Sequence, residues 1–153
     1  MNITFERATK ADVGKLIEIQ NICFYDDYTK FGKCPAYNET PEHMANQIET
    51  RICYKIIIDG VTAGDIIVRP DSENQYYIRV LSILPQYQGK GAGTAALRFL
   101  FEQYPNVSVW ELVTPIKNKK NCSFYEKAGF IAAKETNDGD VKLNLYRCSR
   151  EIP

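Results

Sequence analysis

The residues with the clearest chemical potential lie in one run: Leu84-Pro85-Gln86-Tyr87-Gln88-Gly89-Lys90-Gly91-Ala92-Gly93-Thr94. Three alternate glycines and a lysine separate an apolar, strand-like segment from an amphipathic one. Glycine lets the backbone approach a ligand and adopt positive φ. The free N–H groups of a helix start then face an anion, aided by the helix dipole. A phosphate or pyrophosphate is the natural guest. A P-loop requires Ser or Thr directly after Gly-Lys to hold magnesium; here Gly89-Lys90 is followed by Gly91. A dinucleotide fold requires G-x-G-x-x-G close behind a strand and an acid near the end of the next strand. Gly89-x-Gly91-x-x-Thr94 matches that pattern poorly, and Glu111, about twenty residues on, falls in mid-strand.

Gln88-Gly89-Lys90-Gly91-Ala92-Gly93 resembles the Q/R-x-x-G-x-G/A motif of the GCN5-related N-acetyltransferase family. The segment Asn118 to Phe130, with Tyr125-Glu126-Lys127-Ala128-Gly129-Phe130 at its end, is similar to that family's N-x-x-x-x-x-x-Y-E-K-x-G-F run. The opening Arg7-Ala8-Thr9-x-x-Asp12 also resembles the family's usual start. The resemblance covers essentially the whole chain and implies acetyl-CoA as cosubstrate, with no metal. It implies a pyrophosphate held by the amides of Gly89, Lys90, Gly91, Ala92, Gly93 and Thr94, with Gln88 beside them. Pantetheine would lie in a splay between the fourth and fifth strands. Asn118 would bond that arm, the backbone N–H of Ile83 would steady the oxyanion, and Tyr125 would protonate the departing thiolate. Near pKa 10, a tyrosine is protonated at neutral pH and can donate. If both residues lie on one helix, Asn118 and Tyr125 face the same side about 10 Å apart.

The base and the acceptor are less defined. Glu111 is the best-placed strand carboxylate for the base, although it also reads as an outward-facing strand glutamate. In the family the acceptor lies under the segment between the first strand and the second helix. Here that segment, Phe24 to Glu39, mixes aromatics with Asp26, Asp27 and Tyr28, which suits a cationic amine. His43, the single histidine, reads as a surface residue first. Lys90, Lys117, Lys119 and Lys120 gather near the two motifs, and each alone reads as a solvated charge.

The elements that must position these groups follow one another with short breaks. Ile3 to Ala8 reads as a strand, and Thr9 with Asp12 as a capping box before a helix through Leu16, Ile19 and Cys23. Phe24 to Glu39 reads as irregular. Thr40-Pro41 opens a second helix running to about Ile52. Asp59-Gly60 marks a tight hairpin between Tyr54–Ile58 and Val61–Arg69. Then come a strand over Gln75 to Leu84, a helix through Leu97, Leu100, Phe101 and Tyr104, and a strand over Val107 to Thr114. A short helix stopped by Gly129 and a hairpin turned at Asp138-Gly139 close the chain. The order β-α-α-β-β-β-α-β-α-β-β is the family's: an α/β (α+β) fold with a mixed sheet of about seven strands, its parallel fourth and fifth strands splayed.

At 153 residues the chain is the size of a single domain, spanning 1-153. With 44% hydrophobic and 25% charged residues it is neither disordered nor repetitive. Nineteen basic and nineteen acidic residues cancel, against the basic balance of a nucleic-acid binder. No apolar run spans a membrane, no signal peptide is visible, and the five scattered cysteines read as reduced thiols in a cytoplasm. No His, Cys or Asp cluster has metal spacing. The expectation is an N-acetyltransferase acting on a primary amine of a small molecule or protein, its oligomeric state open, a homodimer included. The alternatives are a catalytically silent acetyl-CoA sensor, which has no need of an acid at Tyr125, and a dinucleotide-binding oxidoreductase domain.

Overall fold

A computed structural model describes residues 1–151 of the chain. Seven strands form one sheet in the order β1-β2-β3-β4-β5-β7-β6. They are β1 (Ile3–Arg7), β2 (Ile52–Ile58), β3 (Val61–Pro70), β4 (Gln75–Ile83), β5 (Val109–Pro115), β6 (Ile131–Asp138) and β7 (Val141–Ser149). The helices are α1 (Val13–Phe31), α2 (Pro41–Thr50), α3 (Ala92–Gln103) and α4 (Lys119–Lys127). The expected element order and mixed sheet are those observed. No helix among the described residues is long and apolar enough to cross a membrane.

Local chemistry explains most boundaries. Thr9 and Asp12 form their capping box around a 3₁₀ turn that leads into α1. Thr40 caps α2, its Oγ1 accepting from the His43 N–H at 3.1 Å with Pro41 in the first turn. Asp59 and Gly60, at φ 50° and 81°, make the positive-φ hairpin turn that their types favour. One expectation fails. Phe24 to Phe31 is not irregular but the second half of α1, which ends at Gly32 with φ 77°. Aromatics weaken intrinsic helix propensity, yet Leu16, Ile19 and Gln20 bury one face of the helix and tertiary packing carries it on.

The sheet has helices on both faces. Side chains alternate along a strand, so Ile66 and Ile67 of β3 enter different cores. Ile66 joins the larger one, with Trp110, Tyr146, Phe130, Leu97 and Leu100 beneath α3 and α4. Ile67 joins Leu16, Met44, Ile48, Cys53 and Val80 beneath α1 and α2.

Two irregularities create the space for a site. β4 and β5 are parallel and pair only over Gln75–Tyr77 and Val109–Glu111. Beyond that they part, as the splay expectation requires, while β5 continues along β7. The register of β3 against β4 also slips, so that Ile67 faces Val80 and Val68 faces Ile78. Arg79 is the extra residue of this bulge, a device that re-aims a side chain.

Candidate functional site

Two cavities open where β4 and β5 part. The larger, about 770 Å³, lies between the glycine turn, the start of α3, the start of α4 and the middle of α1. The smaller, about 330 Å³, lies against the splay on the side of α1, the segment after it and the β6–β7 hairpin. They share five lining residues: Phe24, Asp27, Leu81, Asn121 and Tyr125.

The larger cavity gathers most of the expected cofactor residues. Ile83, Gln88, Gly89, Gly91, Ala92, Gly93, Thr94 and Asn118 all line it, and Lys90 does not. Gly91 caps α3 at φ 85°, a left-handed conformation that glycine adopts without strain. The N–H groups of the first turn of α3 therefore have no carbonyl partner inside the helix and lie at the cavity. Gly93 has a different role. A Cβ there would stand 2.8 Å from Cζ of Phe124, so its bareness lets α3 pack against α4. Lys117, Lys119 and Lys120 add positive charge, with Lys120 Nζ donating to Gln88 Oε1 at 2.8 Å. Gln88 in turn donates from Nε2 to the Ile83 carbonyl at 2.7 Å, tying the turn to the end of β4.

Ile83 is placed by alternation. The next amide, Leu84 N–H, donates to Ala63 O at 2.8 Å, so the Ile83 N–H points the other way, off β3 and toward the splay. Gly64 opposite has no room for a Cβ, which would meet the Ser82 carbonyl. The thiol of Cys23, on α1, lies against Ser82 and the Ile83 amide. Burial and the Asp65 carboxylate push that thiol up to about 12, so it is protonated at neutral pH.

Tyr125 is buried in the wall common to both cavities. Burial alone acts on its hydroxyl, pushing it well above the usual tyrosine range and keeping it a proton donor. Asn118 departs from the expected geometry. It is the N-cap of α4, not a helical residue, and its Oδ1 accepts from the Asn121 N–H at 3.1 Å. An asparagine before a helix satisfies an orphan amide in this way. Its Nδ2 donates to Asp27 at 3.0 and 3.3 Å. Burial raises the Asp27 carboxyl above the ordinary range, partly offset by that amide donor.

The other expected residues divide. Asp26 lines the larger cavity. Tyr28 lines neither; it stacks on Tyr37 at 4.5 Å between ring centroids and is 43% exposed. Glu111 lines neither cavity. It lies at the closed end of the β4–β5 pair, held by Arg147 at 2.6 Å and by Gln75 at 2.9 Å. His43 sits half-exposed on the surface beside Glu39, 3.4 Å away.

Several groups were not singled out by sequence. Arg51, Arg69 and Arg79 line the smaller cavity with Thr114. Arg79 donates to the buried Glu39 at 2.9 Å, and Arg69 pairs with Asp71 at 2.7 Å while lying over the Tyr77 ring. The mouth expected to be acidic is therefore lined by three arginines as well as by Asp27. Asp65 is wholly buried on β3, accepting from Ser82 Oγ and, at 2.6 Å, from Gln20 Nε2. Burial pushes it up to about 6. Arg51, Arg69, Arg79, Thr114 and Asp65 come from four different elements or loops, so no local spacing marks them.

Residues 15–130 match the model of the acetyltransferase (GNAT) family. An uncharacterized protein of Bacillus subtilis (strain 168), YrkN, is 30% identical over 128 residues, which are 79% of this chain and 68% of that protein. Among solved structures, the PaiA N-acetyltransferase of Thermoplasma acidophilum, in complex with coenzyme A, superposes with a TM-score of 0.80 at 18% identity over 97% of this chain and 99% of the other. The ribosomal-protein-S18-alanine N-acetyltransferase of Escherichia coli gives a TM-score of 0.79 at 19% identity over 99% and 96%.

Proposed function

The chain belongs to the acetyltransferase (GNAT) family, and on that premise we propose that it transfers an acetyl group from acetyl-CoA to the primary amine of a small molecule. The observation that carries this reading is the wall shared by the two cavities, where Tyr125 and Asp27 stand between a phosphate-sized cradle and a separate small chamber. One cavity for each substrate, joined at two proton-active groups, suits a direct transfer. The protonated Cys23 thiol argues against an acyl-enzyme route.

The roles follow from placement. The larger cavity is the donor side: the first-turn amides of α3 and the lysines of the α4 start would hold the phosphates of CoA. Acetyl-CoA supplies an activated thioester. The Ile83 N–H is the donor for the oxyanion, and such preorganised donors are worth ~3–4 kcal/mol. Asp27, its proton affinity raised by burial, takes the proton from the incoming ammonium, a role better suited to it than to Glu111, which is engaged by Arg147. Asn118 orients that carboxylate. Tyr125 gives its proton to the leaving sulfur.

Thiol release from acetyl-CoA across an amine panel tests the reading. Thermal denaturation with CoA at 100 times its dissociation constant should show ~2.7 kcal/mol of added stability. CoA-dependent stabilisation with no thiol release for any amine would point instead to a silent sensor; absence of both would sink the reading.

A further inference from the structure

Resting on that reading, we propose that the acceptor is zwitterionic: a small amino acid or similar molecule whose amine lies at Asp27 and whose carboxylate pairs with Arg51 in the smaller cavity.

The charge pairing around this cavity leaves two groups over. Arg79 is committed to Glu39 and Arg69 to Asp71; Lys33 is paired with Asp138 at 3.4 Å. Arg51 makes no ion pair among the described residues, and its Nη1 is buried without a hydrogen-bond partner. Leaving a charged donor in that state is costly. Burial, Arg79 and Arg69 work against its charge and outweigh the support from Glu39 and Cys53, so an anion arriving here supplies the opposite charge that this site lacks. Asp27, in the wall shared with the larger cavity, is likewise in no ion pair among the described residues and accepts from the neutral amide of Asn118.

Among the described residues, one cation and one anion without an ion-pair partner, Arg51 and Asp27, thus line one chamber of about 330 Å³. A single guanidinium balances a single negative charge and grips a planar carboxylate through two parallel N–H donors. That matches a carboxylate better than a doubly charged phosphate. Asp27 also borders the donor cavity, whereas Arg51 does not. The amine end is therefore the end that meets the thioester, and the carboxylate end points away from it. The Thr114 hydroxyl, buried in the same chamber with no partner, offers one further hydrogen bond to a polar side group. A polyamine would place a second cation against Arg51 and is disfavoured.

The test uses the product, so it does not depend on turnover. The full-length protein, saturated with CoA, is titrated calorimetrically with the N-acetyl derivatives of glycine, alanine, serine, methionine, glutamate and phenylalanine. Each is compared with its carboxamide, and N1-acetylspermidine is included. At least one carboxylate should bind tenfold or more tightly than its carboxamide. Arg51→Gln should abolish that preference and Arg51→Lys should restore part of it, both with unchanged CoA affinity as the measure of an intact fold. Equal binding of acids and amides, tighter binding of N1-acetylspermidine, or a preference that survives Arg51→Gln overturns the inference. CoA binding without a carboxylate preference removes this inference alone, whereas failure of CoA to bind removes the acyl-transfer reading beneath it.

Discussion

The cavities proposed for donor and acceptor are built on opposite principles. The donor side takes its glycine turn and three of its four lysines from two short runs, Leu81 to Thr94 and Lys117 to Tyr125, each a local device at a helix start. The acceptor side takes Asp27 from α1, Arg51 from the end of α2, Arg69 from β3, Arg79 from a bulge in β4 and Thr114 from β5. A phosphate cradle uses backbone amides, which any sequence can present if glycine permits the turn. Selecting one amine among many uses side chains brought together from distant parts of the chain.

Tyr125, in the shared wall, gives the largest effect. Tyr125→Phe keeps the ring and its contacts with Phe130 and Tyr146 and removes only the hydroxyl group. Turnover should fall 10²–10⁴-fold, ~3–5 kcal/mol of barrier, with little change in acetyl-CoA affinity and the same loss for every amine. A variant within about twofold of wild type would mean that water supplies the proton.

The buried acid on β3, beside Ser82 of the larger cavity's wall, comes next. The Asp65 carboxyl is raised from 3.8 to about 6. The unfolded chain gives up this proton earlier, so the contribution to stability is complete below about pH 4 and is lost as pH rises through about 6, amounting to ~3 kcal/mol. Urea unfolding of Asp65→Asn at pH 4 and at pH 8 should show the variant gaining on wild type by about that amount. Parallel curves would place the ionised carboxylate among its donors at both values.

On the donor side alone, Gly91→Val puts a branched residue at φ 85°. The cradle should distort, and CoA affinity should drop at least tenfold, ~1.4 kcal/mol, while preference among acceptors is unchanged. Equilibrium binding followed by an amine panel separates the two. A folded variant with wild-type CoA affinity would end the phosphate-cradle assignment.

The smallest effect is electrostatic. Lys120→Met removes an exposed cation and its hydrogen bond to Gln88. CoA affinity should weaken only a few-fold at physiological salt, where charges are screened over ~8 Å, and more at low salt. An equal loss at all ionic strengths would make Lys120 a structural prop of the turn.

Local patterns carried much of the fold and of the donor cavity. The caps at Thr9 and Thr40, the Asp59-Gly60 turn and the glycine run each act within a few residues, so their meaning survives in the linear chain. Even there the reach was limited: Asn118 proved to be a cap and Lys90 to lie outside the cavity, because motif spacing does not report the direction of a side chain. The helical state of Phe24 to Phe31 was decided by burial of one face of α1, a tertiary contribution that outweighs the propensity of its aromatics. That Asp27 and Arg51 have no ion-pair partner among the described residues was decided by tertiary structure alone. Whether a charge is spent or spare depends on which partners the fold brings within about 4 Å: for Glu111 and Arg79 those partners, Arg147 and Glu39, lie far along the chain, whereas Arg69 meets Asp71 two residues on.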